Sequence, residues 1–122
     1  FFSIVSAPQG YTTPLGKKIA AADVDLVVRL LFMQKMHKTH PGTGAVCTAA
    51  AIRIPGSIPY QKLRRSADSA KLIHLGHPAG IMDVESLSHM EGTSVVMDKL
   101  AFYRTARKIM DGCVYIPDTA ND

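Results

Sequence analysis

Apolar residues are distributed differently in successive stretches of this 122-residue chain, and each pattern predicts an element. Phe2 to Ser6 is a short apolar run closed by Pro8 and Gly10, which predicts a strand. Tyr11 to Lys18, with Thr12, Thr13, Pro14 and Gly16, has the composition of a turn. From Ala22 to Gln34 the spacing predicts a helix: Val24, Val27, Val28 and Leu31 recur at i, i+3, i+4 and i+7, Asp23 is placed to cap it, and Asp25 suits the positive end of its dipole. Leu26, Leu30 and Met33 widen the apolar arc, so this helix is expected to be covered by other elements. Met36 to Thr43 reads as a loop. Gly44 to Ile54, ended by Pro55 and Gly56, reads as a second helix whose small, nearly uncharged residues let neighbours surround it at close range.

Ser57 to Ser69 is a polar connection, long enough to be a mobile loop or to hide a short strand, and its Lys62, Arg64 and Arg65 are expected to be solvated. Lys71 to Leu75 and Ile81 to Leu87 flank Gly76-His77-Pro78-Ala79-Gly80, a hairpin signal. Val95 to Tyr103 and Lys108 to Ile116 are two further strand candidates, the second interrupted by Asp111 and Gly112; Asp118 to Asp122 is a polar tail. The sum is an α+β chain with a mostly antiparallel sheet wrapped around a central helix.

Composition narrows the class. With 47% apolar residues and a formal charge of +4, one globular domain is expected and intrinsic disorder is excluded. No apolar run is long enough for a membrane helix, and the dispersed cations favour a small anionic ligand over nucleic acid. The two cysteines, Cys47 and Cys113, are too few for a disulfide framework, read as buried small hydrophobes, and fit a cytoplasmic location. The chain enters its first strand without an initiator Met, as an excised piece of a longer protein would.

Two glycine-rich turns are the candidate chemistry. His40-Pro41-Gly42-Thr43-Gly44 opens onto the second helix, where unpaired amides and the helix dipole favour an anion, with His37, Lys38 and His40 adding positive potential and Thr39 and Thr43 adding hydroxyls. The same residues also fit a plain tight turn capped by Thr43. Gly76 to Gly80 can bind an anion through its amides, with His77 as a donor, or can be only a hairpin turn. The spacings His37/His40 and His74/His77 lack the further ligands a metal needs, so no metal site is expected.

The runs Met33 to Lys38, Gly42 to Ala51, Ile54-Pro55-Gly56, Gly76-His77-Pro78-Ala79-Gly80, Arg104 to Met110 and Val114 to Pro117, in that order, resemble the C-terminal part of the PrpF family of 2-methylaconitate cis-trans isomerases and their relatives. The resemblance implies one lobe of a diaminopimelate epimerase-like fold, in which two lobes each wrap a sheet around a central helix. The epimerases carry an acid/base cysteine at the position held here by Pro41, which excludes two-thiol chemistry at this turn. Family members often carry an arginine where this chain has His74, and a serine at Ala79.

The resemblance further implies isomerisation of an unsaturated tricarboxylate through an enolate-like intermediate, without a cofactor. Thr39, His40, Gly42, Thr43, Gly44, His74, Gly76, His77, Pro78 and Gly80 would form the substrate-binding part. The family's proton-transferring lysine and cysteine would lie on a lobe this chain lacks, so the chain is expected to be inactive alone. Its cleft face would be covered by that lobe or by a second copy in a homodimer.

Overall fold

A computed structural model describes residues 2–116; the predicted polar tail lies outside the described residues. In chain order the elements are β1 (Phe2–Ser6), β2 (Tyr11–Thr12), β3 (Lys18–Ile19), β4 (Leu26–Phe32), β5 (Lys35–Met36), α1 (Gly42–Ala51), α2 (Ile58–Lys62), β6 (Leu72–His77), β7 (Gly80–Glu91) and β8 (Ser94–Phe102). The architecture is α+β. A curled six-stranded sheet runs β1-β4-β6-β7-β8 with β5 attached to β4, and β2 and β3 form a separate ribbon. All pairings are antiparallel except β4 with β6, joined by the crossover that carries both helices.

The helix expected over 22–34 is β4, preceded by a 3-10 turn at Ala21–Asp23. Leu26, Val28 and Leu30 alternate with Val27, Arg29 and Leu31. The first two of the first set face the core against α1, whereas Val27 packs with Ile19, Val24 and Tyr11 on the other side. A strand apolar on both faces also satisfies i, i+3, i+4, and the β-branched valines favour the extended form. Asp25 accepts from the His74 N–H at 2.9 Å rather than serving a helix dipole. Met33 and Gln34, with φ of 48° and 61°, make the two-residue turn that reverses β4 into β5.

The second predicted helix is α1, beginning two residues earlier than expected. Ala45, Ala49 and Ile52 bury themselves against Leu26, Val28, Ile73, Leu75 and Val84, and the small residues permit that approach. The sheet curls round this side of α1 while Thr43 and Cys47 stay exposed. Cys47 and Cys113 are therefore both exposed, contrary to expectation, and Cys113 is in no strand. Just beyond α1, Arg53 donates to Ser86 Oγ at 3.1 Å and Ser86 O at 2.9 Å, and to the carbonyls of Asp68 and Ala70, fastening the crossover to β7.

The connection 57–69 holds α2 and a 3-10 turn at Arg65–Ala67, not a strand. Arg64 is not simply solvated: it pairs with Asp25 at 3.2 Å and donates to the carbonyls of Val24, at 2.6 Å, and Ala21. The predicted hairpin is β6–β7, turning at Pro78-Ala79, and the next predicted strand is β8. Lys108 to Ile116 forms no strand, and none of the described strands pairs with it.

Candidate anion-binding cleft

The N-terminus of α1 opens on a cleft of about 620 Å³ lined by Thr39, His40, Pro41, Gly42, His77, Ile81, Met82, Asp83, Tyr103, Arg104 and Thr105. The first glycine-rich turn singled out in the sequence forms one side, and His77 of the second turn, the start of β7 and the chain leaving β8 form the rest. Pro41 is the N-cap residue, offers no side-chain cap, and no acidic residue lies in the first turn. Ala45 N–H closes the first helical bond onto Pro41 O at 2.8 Å, which leaves the amides of Gly42, Thr43 and Gly44 at the open end. Thr43 is thus not the cap.

The glycines permit close approach here. A Cβ on Gly42 would lie 2.4 Å from the Phe102 ring, and one on Gly44 would lie 2.9 Å from Leu30 and 3.3 Å from His40.

His40 is 2% exposed. Its Nε2 lies 3.4 Å from the Thr48 hydroxyl, which itself donates to Gly44 O at 2.8 Å. With that hydroxyl proton committed, Nε2 carries the imidazole hydrogen and Nδ1 is a bare lone pair. Nδ1 is buried and has no hydrogen-bond partner among the described residues. Burial lowers the His40 pKa, the Gly44 carbonyl opposes that, and charge on the neighbouring His77 and His37 rings would lower it further. His77, also buried, accepts from the Ala79 N–H on Nδ1 at 3.2 Å, and burial likewise lowers its pKa. Two neutral imidazoles therefore face one cleft near pH 7.

The His77 turn is braced from behind. The Tyr11 hydroxyl donates to His77 O at 2.9 Å and Gly80 O at 2.5 Å. The Arg29 guanidinium donates to Gly76 O at 3.1 Å and stacks 4.7 Å from the centre of the Tyr11 ring. Gly76 admits this brace, since a Cβ there would meet Val24 at 3.0 Å and the Tyr11 hydroxyl at 3.1 Å.

The predicted site residues divide accordingly. Thr39, His40, Gly42 and His77 line the cleft. Thr43 and Gly44 line the neighbouring groove on the other side of the helix end. His74, Gly76, Pro78 and Gly80 are not among the lining residues; Gly76 is buried behind the turn. His74 instead binds Asp83, Nδ1 to Oδ1 at 2.7 Å, and Asp83 reaches the cleft. Sequence reasoning missed Arg104, which follows β8 and lies 5.8 Å from the centre of the Phe102 ring. Its only signal was membership in the run Arg104 to Met110. The described residues contain no group of His, Cys, Asp and Glu able to hold a metal, and no helix long and apolar enough to cross a membrane.

An uncapped helix end facing a braced turn across a cleft that Arg104 also lines has the chemistry to suit an anion. The PrpF protein family model matches residues 2–117, and the chain belongs to that family. It is 44% identical to a 3-methylitaconate isomerase from Eubacterium barkeri over 93% of this chain and 29% of that protein. It is 35% identical to a 2-methyl-aconitate isomerase from Shewanella oneidensis, over 94% and 28%. A crystal structure of a methylitaconate-delta-isomerase superposes with a TM-score of 0.74 at 42% identity, covering 90% of this chain and 27% of that one. The chain thus spans less than a third of the length of these relatives.

Proposed function

We propose that this chain is the substrate-binding lobe of an isomerase that acts on an unsaturated tricarboxylate of the aconitate kind by moving a proton through an enolate-like intermediate. The observation that carries this reading is the open N-terminus of α1 with the unpartnered Nδ1 of the buried His40 beside it. The names of its relatives, a 3-methylitaconate isomerase and a 2-methyl-aconitate isomerase, support the reaction class.

In this reading one carboxylate accepts from the amide of Gly42, and Arg104 takes a second. His40 Nδ1, in its neutral form, accepts a proton as the anion arrives, turning an unsatisfied lone pair into a donor. When a proton leaves the carbon next to a bound carboxylate, charge collects on that carboxylate. Amides already aimed there stabilise it without reorganising, an effect of about 3 kcal/mol per donor in other enzymes. The His74–Asp83 pair ties up the one carboxylate that would otherwise repel the ligand.

The cleft lining contains no lysine and no cysteine, and Pro41 cannot exchange a proton. The groups that move the proton would come from the part of the family's length that this chain lacks, so the isolated chain binds without turnover.

Calorimetric titration with trans-aconitate tests the reading. Binding that weakens in Gly42→Val and Arg104→Gln is expected. No heat of binding, with or without the rest of a family polypeptide present, would overturn it.

A further inference from the structure

Phe102 touches both of the groups that the cleft would offer a pair of carboxylates. It closes β8 and pairs with Val84 across the ladder, and because Val84 belongs to the core against α1, the Phe102 ring points to that side as well. Tyr103 N–H donates to Asp83 O at 3.2 Å, so the pairing runs one residue further and alternation brings Arg104 back to the side of Phe102. Both line one groove of about 510 Å³ together with Gly42. A Cβ on Gly42 would lie 2.4 Å from Cζ, 2.8 Å from Cε2 and 3.0 Å from Cε1 of the ring. The far edge of the ring therefore seats on the first residue of α1. Its face carries the Arg104 guanidinium, 5.8 Å from the ring centre.

Among the described residues no hydrogen bond or ion pair holds that guanidinium, so the ring is what limits its swing. An arginine held beforehand loses less side-chain freedom when it grips a ligand, and its planar fork rewards a fixed orientation. Core filling alone asks for neither contact: Leu100, on the same face of β8, packs against the same core and lines no part of the groove. We infer that Phe102 is a positioning residue of the cleft: seated on Gly42, its ring sets how far the Arg104 guanidinium stands from the Gly42 amide, and the cleft thereby selects ligands by the separation of their carboxylates. This rests on the reading above, in which Gly42 takes one carboxylate and Arg104 a second. The ligand class narrows to rigid acids whose carboxylates match that separation, since a lone carboxylate satisfies one end only.

Fumarate and maleate test this, being rigid dicarboxylates of equal charge that differ in carboxylate separation. In calorimetric titration of the full chain one of the pair should bind about fivefold tighter than the other, and in Phe102→Leu and in Arg104→Gln that ratio should fall below about twofold. With trans-aconitate, Phe102→Leu should weaken binding about fivefold where Arg104 is kept and less than about twofold where Arg104→Gln is also present, as for two residues acting as one unit. Phe102→Met, which fills much of the ring's volume without a flat face, should behave as Phe102→Leu does, and melting curves identify which variants are folded. A wild-type chain that binds the two isomers equally or not at all, a ratio preserved in a folded variant, or equal weakening of trans-aconitate binding in both backgrounds overturns the inference; the last of these means that the ring only fills the core. Should both ring variants fail to fold, Arg104→Gln decides alone, and a preserved ratio overturns the inference. Binding of trans-aconitate by the wild-type chain under any of these outcomes leaves the lobe reading standing, whereas its absence removes that reading and the inference together.

Discussion

His40 shows how one side chain couples packing to charge. Its ring is wedged between the first turn of α1 and the cleft, and burial holds both it and His77 below the ordinary imidazole pKa. In the unfolded chain both titrate near ~6.5. Below that pH the unfolded state binds protons that the native state refuses, so the native state is favoured fully above the unfolded value and loses stability as pH falls through the depressed native values. Each residue can contribute a slope of at most about 1.4 kcal/mol per pH unit in that window. His89 has the opposite sign: Asp98 and Glu91 raise its pKa, so its contribution is present at low pH and fades as pH rises through the raised value. It is solvent-exposed, and screening keeps that effect small. Urea unfolding between pH 7.5 and 5 should therefore show a net loss of stability toward acid, and His40→Leu should flatten the curve. An unchanged slope in the variant would remove His40 as its origin. Tyr11→Phe offers a second check. It deletes the hydroxyl that bonds His77 O and Gly80 O and should cost about 1–2 kcal/mol in the same measurement.

Elements obey the same physics through what they pack against. The period-3.6 reading of 22–34 failed because β4 is buried on both faces, so its two apolar sets together mimic a helical stripe. Three valines and the later turn at Met33-Gln34 were the contrary signals, but neither turn residue is a usual left-handed turn former. The double substitution Met33→Asn with Gln34→Gly should relieve that backbone and stabilise the chain by about 1 kcal/mol, read as a higher urea midpoint. The β6–β7 hairpin and α1 were legible, since glycine and proline mark their ends. Arg64 and Arg53 were not, because their partners are carbonyls distant in sequence, and a run of cations says nothing about such acceptors. Arg53→Met should cost about 3 kcal/mol, leaving carbonyls of 68, 70 and 86 without their donor, and the loss should appear in the global unfolding transition.

At the scale of the molecule the cleft exists because the crossover and the long hairpin end at the same place. β4 to β6 carries α1 across the sheet with its N-terminus beside the His77 turn, and the chain leaving β8 brings Arg104 over both. His40, Gly42 and His77 could be read as candidates from their turns, whereas Arg104 enters only through this convergence. In the proposed reading, an amide, two imidazoles and a guanidinium spread over a cleft of about 620 Å³ suit several carboxylates on one small frame better than a single one. A ligand that binds only the native state stabilises it by mass action, about 2.7 kcal/mol at 100 times its Kd. Trans-aconitate should accordingly raise the melting temperature of the chain, acetate at equal concentration should not, and the rise should shrink as ionic strength increases because Arg104 and the cleft rim are open to solvent. Gly42→Val puts a side chain against Phe102 at the helix end and should abolish the rise. A rise of equal size with acetate, or one that survives in Gly42→Val, would show that the anion binds the surface charge of a +4 chain and not this cleft.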